Sequence, residues 1–379
     1  MGNTIRSARP RARLGIGPTS RHAVCAVARA AYRHRVRLML VASRGQIDAE
    51  ALGGGYVENW STEAYADFVR SIDPDRRILL CRDHGGPWQR QSDVDEGLGE
   101  KEAMASSLES FRCDIRAGMD LLHVDASKDG SAPADFETAL GRLVALCSEC
   151  EESARRDGRN VAFEVGLERQ GATIDDPRDF ASKLLRILDE FEGLSLPRPA
   201  FVVGQTGTKV VGTTNRGRFR GHGRQVDTVR TIVKLCRERG TALKAHNADY
   251  LQPEQLDGLV SAGVDAINIA PEVGVAETRA ILGWLREKDL RPEEDLFLEL
   301  AFNSRAWVKW FPDGEGTDIE RATAAGHYVF ATEEFRELKS RLEQVDSGAS
   351  GVNTAIAATL DAHLDRYVAR LGLQGGHHG

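Results

Sequence analysis

Eight short apolar runs, each followed by a helical pattern, predict an α/β chain closed into a (β/α)8 TIM barrel with a C-terminal helical extension. Strict strand–helix alternation implies right-handed crossovers and a parallel sheet, and eight units favour closure over an open sheet. No Gly-rich dinucleotide fingerprint follows the first run, which weakens the open, doubly wound alternative further.

The strands read in order as "RLGIG" (13–17), "RLMLVAS" (37–43), "RILLC" (77–81), "MDLLHVDAS" (119–127), "VAFEVG" (161–166), "AFVVG" (200–204), "ALKAHN" (242–247) and "DAINIA" (265–270). Apolar residues with 3.6-residue spacing fill the stretches between them, from "HAVCAVARAAYRH" after the first strand to "AETRAILGWLREKD" after the eighth. Several of these helices open on Asp, Ser, Thr or Pro and close near Gly, as helix boundaries should. After the eighth helix come "LFLELAFNSRAWVKWFPDG" and a helical tail from Glu333 to Leu373. The expected organisation is a loose arm over 1–13, the barrel as catalytic domain over 14–330, a helical extension over 331–373 and a disordered tail over 374–379.

Composition narrows the function classes. Of the 379 residues, 41% are apolar and 28% charged, close to the globular average, and the net charge of −7 argues against a nucleic-acid partner. No run approaches the ~18 apolar residues of a membrane span, and no apolar segment follows the basic start "MGNTIRSARPRAR", so a cytoplasmic protein with no membrane partner is expected. The six cysteines are scattered; "CSEC" (Cys147 to Cys150) falls in a helical pattern with no second pair and is read as ordinary thiols.

In a barrel of this kind the active site stands at the C-terminal ends of the strands. The second strand end supplies Gln46, the third Asp83 and His84 within "RDHGGPW", and the fourth His123 and Asp125, two apart and on one face. The fifth supplies Glu164 and, after a turn, Glu168; the sixth Gln205 and a polar loop with Lys209; the seventh Lys244, His246, Asn247 and Asp249; the eighth Asn268 and the loop "APEVG". Imidazoles and carboxylates converging from separate strands suit a divalent transition metal such as zinc, with a position left open for substrate. Glu164 is the only charge in "VAFEV", where burial is costly without a partner. His123 is read as a hydrogen-bonded core residue or a substrate contact, and His22, His34 and His363 as surface residues on helices.

Four stretches, "RDHGGPW", "LLHVDAS", "AHNADYLQPEQL" and "RAWVKWFP", resemble motifs of the non-catalytic-subunit family of class II D-tagatose-bisphosphate aldolase, also described as tagatose-6-phosphate kinase-like. The similarity runs in order from Gly15 to Trp310, most of the chain. The family belongs with the zinc-dependent class II aldolases. The resemblance implies zinc on His84 and His246 with Glu164 or Asp125 nearby, and Asp83 as the acid/base. Two departures stand out. The sixth strand end, where class II aldolases carry a further zinc-binding His, reads "VVGQTGTKV" with Gln205, and Lys244 replaces the family's acidic residue before Ala-His. The sixth loop is also basic, with Lys209, Arg216, Arg218, Arg220 and Arg224, and reads as a solvated loop or as an anion clamp.

Three functions compete on these residues. The first is a metal-dependent aldolase, or a ketose epimerase using the same enediolate chemistry, with Asp83, Glu164 and Lys244 catalytic. Metal falls to His84, His246, Glu164 and Asp125, and a sugar or sugar phosphate to Gln46, His123, Gln205, Lys209, Asn247, Asp249 and Asn268. The second is a stabilising subunit of a catalytic aldolase partner. The third is a Schiff-base aldolase built on Lys244. The amphipathic C-terminal helices leave homo-oligomer formation open.

Overall fold

Each of the eight apolar runs is a strand of one closed wall. In the computed structural model these are β1 (Ala12–Ile16), β2 (Arg37–Ser43), β3 (Ile78–Gly85), β4 (Leu121–Asp125), β5 (Ala162–Gly166), β6 (Phe201–Val203), β7 (Ala242–Ala245) and β8 (Ala266–Ile269). They close in the order β1-β8-β7-β6-β5-β4-β3-β2, with neighbours parallel. The structure describes residues 12–166, 171–346 and 348–373; most of the expected N-terminal arm, Glu168 and the expected tail lie outside the described residues.

Side chains alternate between the faces of a strand, and this period of two sorts the barrel interior into layers. The lower layer is apolar: Met39, Val41, Leu79, Cys81, Leu121, Ala162, Phe201, Ala242 and Ala266 pack on one another. Two residues farther along the same faces stand Asp83, His123, Glu164, Lys244 and Asn268, all buried. The interior therefore changes from apolar to charged within one step of the pleat, at the C-terminal end.

The outer faces of the strands pack against α1 (Arg21–His34), α2 (Thr62–Ile72), α3 (Glu100–Ala117), α4 (Phe136–Arg156), α5 (Pro177–Gly193), α6 (Arg224–Glu238), α7 (Pro253–Ala262) and α8 (Pro271–Glu287). Ser20, Ser61, Asp135 and Asp176 cap α1, α2, α4 and α5 by accepting first-turn amides. Proline opens α5, α7 and α8, where its missing amide costs nothing.

The structure departs from the sequence reading in three places. β3 continues past "RILLC" to Gly85, which brings Arg82, Asp83 and His84 into the wall itself. "APEVG", read as a loop, is the first turn of α8, because Asp249 Oδ1 accepts the amides of Ala270 (2.8 Å) and Glu272 (3.0 Å) and seals the helix start. His22, His34 and His363, expected at the surface, are half-buried where α1 and the last helix meet their neighbours.

Beyond the barrel come α9 (Arg291–Asn303), α10 (Asp318–Ala325), α11 (Glu333–Val345) and α12 (Val352–Arg370). α12 packs against α1 and α8. From it the Tyr367 hydroxyl donates to Glu272 Oε2 (2.5 Å) and to the Ala248 carbonyl (3.2 Å), while Arg366 pairs with Glu272 Oε1 at 2.6 Å. The last helix thus braces the loop that follows β7. All six cysteines are free thiols, and no described helix is long and apolar enough to cross a membrane.

One buried carboxylate gives the fold a pH dependence. Glu277 on α8 is 2% exposed and accepts a hydrogen bond from the Ser20 hydroxyl. Burial pushes its pKa up from 4.5 to about 7. Between those values the folded chain holds a proton that the unfolded chain releases, so stability falls as pH rises through that window. Glu277→Gln should therefore raise the melting temperature at pH 8, by at most about 3 kcal/mol of stability, and change it little near pH 4.5. Calorimetry at the two pH values checks this; equal effects at both would refute it.

Candidate active site

The "RDHGGPW" stretch is a strand end bent over its neighbour. The β3–β4 register shifts between Arg82 and Gly85, and His84 takes a left-handed backbone at φ 42°. Gly86, at φ 149°, then passes so close to β4 that a Cβ there would lie 2.1 Å from the Asp125 carbonyl oxygen. Only glycine fits that crossing. Two buried arginines fix it from outside. Arg82 grips Asp114 with two hydrogen bonds (2.8 and 2.6 Å) and donates to the carbonyls of Ala42 and Ile47. Arg44 pairs with Asp48 (3.1 Å) and Asp93 (2.9 Å) and donates to the Gly86 carbonyl at 3.2 Å.

Inside the mouth, three imidazoles form a nearly equilateral triangle. Ring centroids lie 5.0 Å apart for His84–His123, 5.1 Å for His84–His246 and 5.0 Å for His123–His246. Asp83 Oδ1 is 3.3 Å from His123 Nδ1, 3.9 Å from His246 Nδ1 and 4.0 Å from His84 Nε2. One donor atom from each of Asp83, His84, His123 and His246 falls within 4.8 Å of the others.

Two of the imidazoles are held from behind by carboxylates. Asp125 Oδ2 bonds His84 Nδ1 at 2.6 Å, and Glu164 Oε1 bonds His246 Nε2 at 2.7 Å. Each leaves the second ring nitrogen turned towards the cluster, the arrangement that orients metal-binding histidines. Glu164 Oε2 is in turn paired with Lys244 Nζ at 2.6 Å. His123 Nδ1 meets the His84 amide at 3.1 Å, while its Nε2 is buried with no hydrogen-bond partner. Gly166 makes room for that ring, since a Cβ there would lie 2.9 Å from Nε2.

The charges explain one another. Burial would raise the pKa of Asp83, but His84, His246 and His123 hold it well below the carboxylate range. Glu164 is likewise desolvated, yet Lys244, His123 and His246 hold it at about 2. Burial works against charge on His84, and Asp83 and Asp125 outweigh it, pushing it up to about 9. On His246 burial prevails and the pKa falls. Asp83, Asp125 and Glu164 against Lys244 leave two negative charges once the imidazoles are neutral. A divalent cation would balance them, and the donor set of three imidazoles and a carboxylate suits zinc or a neighbouring transition metal.

The other residues singled out from the sequence are distributed unevenly. Asn268 joins the cluster: its Nδ2 lies 3.5 Å from Asp83 Oδ1 and 3.3 Å from His246 Nε2, and its Oδ1 is buried without a partner. Glu164 and Asp125, expected as ligands, have their oxygens committed to His246 and Lys244, and to His84 and the Ser127 amide, and so stand one layer behind. His123, expected as a substrate contact, is in the cluster itself. Gln46 is folded back onto Ser43, Gln205 accepts the Gly171 amide, Asn247 takes a left-handed backbone (φ 59°), and Asp249 holds the start of α8. In the sixth loop Lys209 is exposed, Arg216 pairs with Glu315, and Arg220 bonds the Gly217 carbonyl of its own loop. The arginine braces Arg44 and Arg82 escaped the sequence reading; an arginine inside an apolar strand, as in "LLCRD", was the signal that pointed to one of them.

No family model matches the chain. Over 115 residues it is 32% identical to the D-tagatose-1,6-bisphosphate aldolase subunit GatZ of Klebsiella oxytoca, covering 27% of this chain and 26% of that protein. Over 291 residues it is 23% identical to the same subunit from Salmonella paratyphi B, covering 68% and 66%. The aligned stretches thus span from about a quarter to just under two thirds of these relatives. Among solved structures, a probable tagatose 6 phosphate kinase from Sinorhizobium meliloti superposes with a TM-score of 0.75 at 18% identity, covering 94% of this chain and 99% of that one. Fructose-bisphosphate aldolase from Campylobacter jejuni superposes at 0.53 with 12% identity, over 98% and 92%. These are relatives of the kind the four sequence motifs resemble, and the structural likenesses show the barrel fold.

Elemental analysis of the purified chain should find close to one divalent ion per molecule, lost in a His84→Ala, His246→Ala double variant. His123→Ala should lose it as well, whereas Glu164→Gln and Asp125→Asn should weaken binding by roughly 10–100-fold, as outer carboxylates do. Full metal retention in His123→Ala would show that the triangle is not the binding site.

Proposed function

We propose that the chain is a divalent-metal-dependent, class II aldolase-type enzyme that makes or breaks a carbon–carbon bond in a keto sugar or sugar phosphate. The observation that carries the reading is the triangle of His84, His123 and His246 around Asp83, at the C-terminal mouth of the barrel. Those four residues would hold the ion, with zinc the best fit. When bound, such an ion supplies Lewis-acid polarisation of a carbonyl and its neighbouring hydroxyl.

The chain's own residues divide the remaining work. Asp83 commits Oδ1 to the cluster, while Oδ2 has no hydrogen bond among the described residues, and its side chain is 12% exposed to the mouth. Held ionised, it is the group placed to take a proton from substrate and return it. Glu164 fixes the ring of His246, and Lys244 keeps Glu164 charged, so both are positioning residues. Lys244 is 1% exposed and ion-paired, which leaves its amine no path to a substrate carbonyl and disfavours the Schiff-base reading. Asn268 lies beside Asp83 and His246 through Nδ2 and would help to hold their orientation.

A second reading keeps the chain as a stabilising subunit of an aldolase complex; the description of its curated relatives as subunits favours it. Solvent-deuterium exchange separates the two. Metal-loaded protein incubated with a panel of keto sugars and their phosphates should incorporate deuterium beside the carbonyl, and Asp83→Asn should slow this by roughly 10²–10⁴-fold. Carbonyl fragments as products identify an aldolase, and a labelled epimer identifies an epimerase. No exchange across the panel, together with a gain in activity of an added aldolase, would establish the subunit reading instead.

A further inference from the structure

The opposite end of the barrel carries a second concave site of different character. A cavity of about 240 Å³ opens at the N-terminal ends of β2, β3 and β4, lined by Arg37, Arg70 and Arg76 together with Asp73 and Asp120. Arg37 opens β2, Arg70 ends α2 and Arg76 lies in the turn before β3, so three separate elements bring their guanidinium groups to one hollow.

The two carboxylates in the wall offset the three cations only in part. Asp73 spends its oxygens on the amides of Arg77 (3.0 Å) and Ile78 (2.7 Å) and on the Tyr32 hydroxyl. Asp120 accepts the Leu80 amide at 2.9 Å through Oδ2 and attracts Arg37, Arg76 and Arg70, so one carboxylate faces three guanidinium groups. The ion pairs of this region run elsewhere: Arg70 reaches Asp67 on the surface at 3.3 Å and also donates to the Ala117 carbonyl, and Arg77 reaches Asp75 at 3.6 Å, so Arg37 and Arg76 are the guanidinium groups of the hollow with no hydrogen bond or ion pair among the described residues. Arg37 Nη1 is buried and has no hydrogen-bond partner. A guanidinium nitrogen hidden from water and left unbonded is costly, and two further arginines share the same hollow.

We propose that this hollow is a binding site for a phosphate-type dianion, as free phosphate or as the phosphoryl group of a small metabolite. Arginine forks suit the oxygens of such a group, which a single carboxylate would engage less fully. The volume admits the group with a few further atoms and excludes a folded partner. The site lies at the end of the barrel away from Asp83 and the histidines, so its occupant is not the substrate of the mouth, and the proposal does not rest on the aldolase reading. By bridging the starts of β2 and β3 and the end of α2, the anion would stabilise the fold.

Titration calorimetry of the full chain with inorganic phosphate and with glucose 6-phosphate, at constant ionic strength, tests this. Arg37→Gln and Arg76→Gln should each weaken phosphate binding about tenfold, the loss of one charge-assisted contact. Arg76 is exposed, so its variant remains informative if Arg37→Gln folds poorly. The His84→Ala, His246→Ala variant should bind phosphate as the parent does. Tighter binding of the sugar phosphate identifies a metabolite ligand, and tighter binding of inorganic phosphate identifies the free ion. Unchanged affinity in both arginine variants, loss of binding in the histidine variant, or no binding at about 10 mM phosphate would overturn the proposal.

Discussion

Glu164 is ionised on the barrel axis only because each of its oxygens has a charged or polar neighbour: Lys244 at 2.6 Å on one side and His246 at 2.7 Å on the other. A lone carboxylate at 0% exposure would be driven to its neutral form. Once it is paired, the consequences run upward through the site. His246 is fixed in orientation, its free nitrogen faces Asp83 and His84, and the triangle of imidazoles acquires its third corner. Lys244 also lies 5.3 Å from the centre of the Phe201 ring, so the ammonium has a polar neighbour above and an aromatic face below. Removing Glu164 or Lys244 alone leaves the other as a buried charge without its partner, which costs far more than the pair contributes as a net gain.

The same principle operates outside the wall. Arg82 with Asp114, and Arg44 with Asp48 and Asp93, are buried ion pairs that replace apolar packing between β3, α3 and the loops above them. Such pairs add little net stability over well-packed hydrocarbon, yet they are directional. Directionality is what the strained end of β3 needs. His84 at φ 42° and Gly86 at φ 149° hold a shape that the chain would not adopt unaided, and the Arg44 bond to the Gly86 carbonyl keeps it there.

The barrel was legible in the sequence because its two periodicities are strong. Runs such as "RLMLVAS" fit a buried parallel strand with little else possible, and the helix between Thr62 and Ile72 announces both ends. The positions of Asp83, His84 and His246 at the mouth followed from the same count. What was not legible is which donors meet. His123 and Glu164 are register neighbours, one strand apart, and only the stagger of the closed barrel decides that the first enters the cluster while the second stands behind His246. Shear is a property of the whole ring, and no local spacing encodes it. The helix Arg291–Asn303 was hidden for a different reason: its buried face is small, with Phe297 and Ala301 its only fully buried residues, so the apolar period is faint.

The segment after α9 bears on the mouth in a way its position in the chain does not suggest. The Trp310 carbonyl accepts the Gly212 amide at 2.7 Å, the Phe311 ring fills the space where a Gly212 side chain would stand, and Glu315 pairs with Arg216. Asn215, in the same sixth loop, donates to the carbonyls of Asn247 and Asp249 at 2.9 Å each. The sixth loop is therefore held between the loop after β7 and the post-barrel segment, and Arg216 is consumed in that attachment. On its other side the segment reaches back through Trp310, whose indole nitrogen donates to the Tyr328 hydroxyl at 3.1 Å, and the Tyr328 ring packs, tilted by 47°, with its centre 4.6 Å from that of Tyr56 in the loop after β2. Loops from opposite sides of the mouth are thus tied to one strap of chain. The loops around the imidazole triangle are held in place in part by residues outside the (β/α)8 repeat.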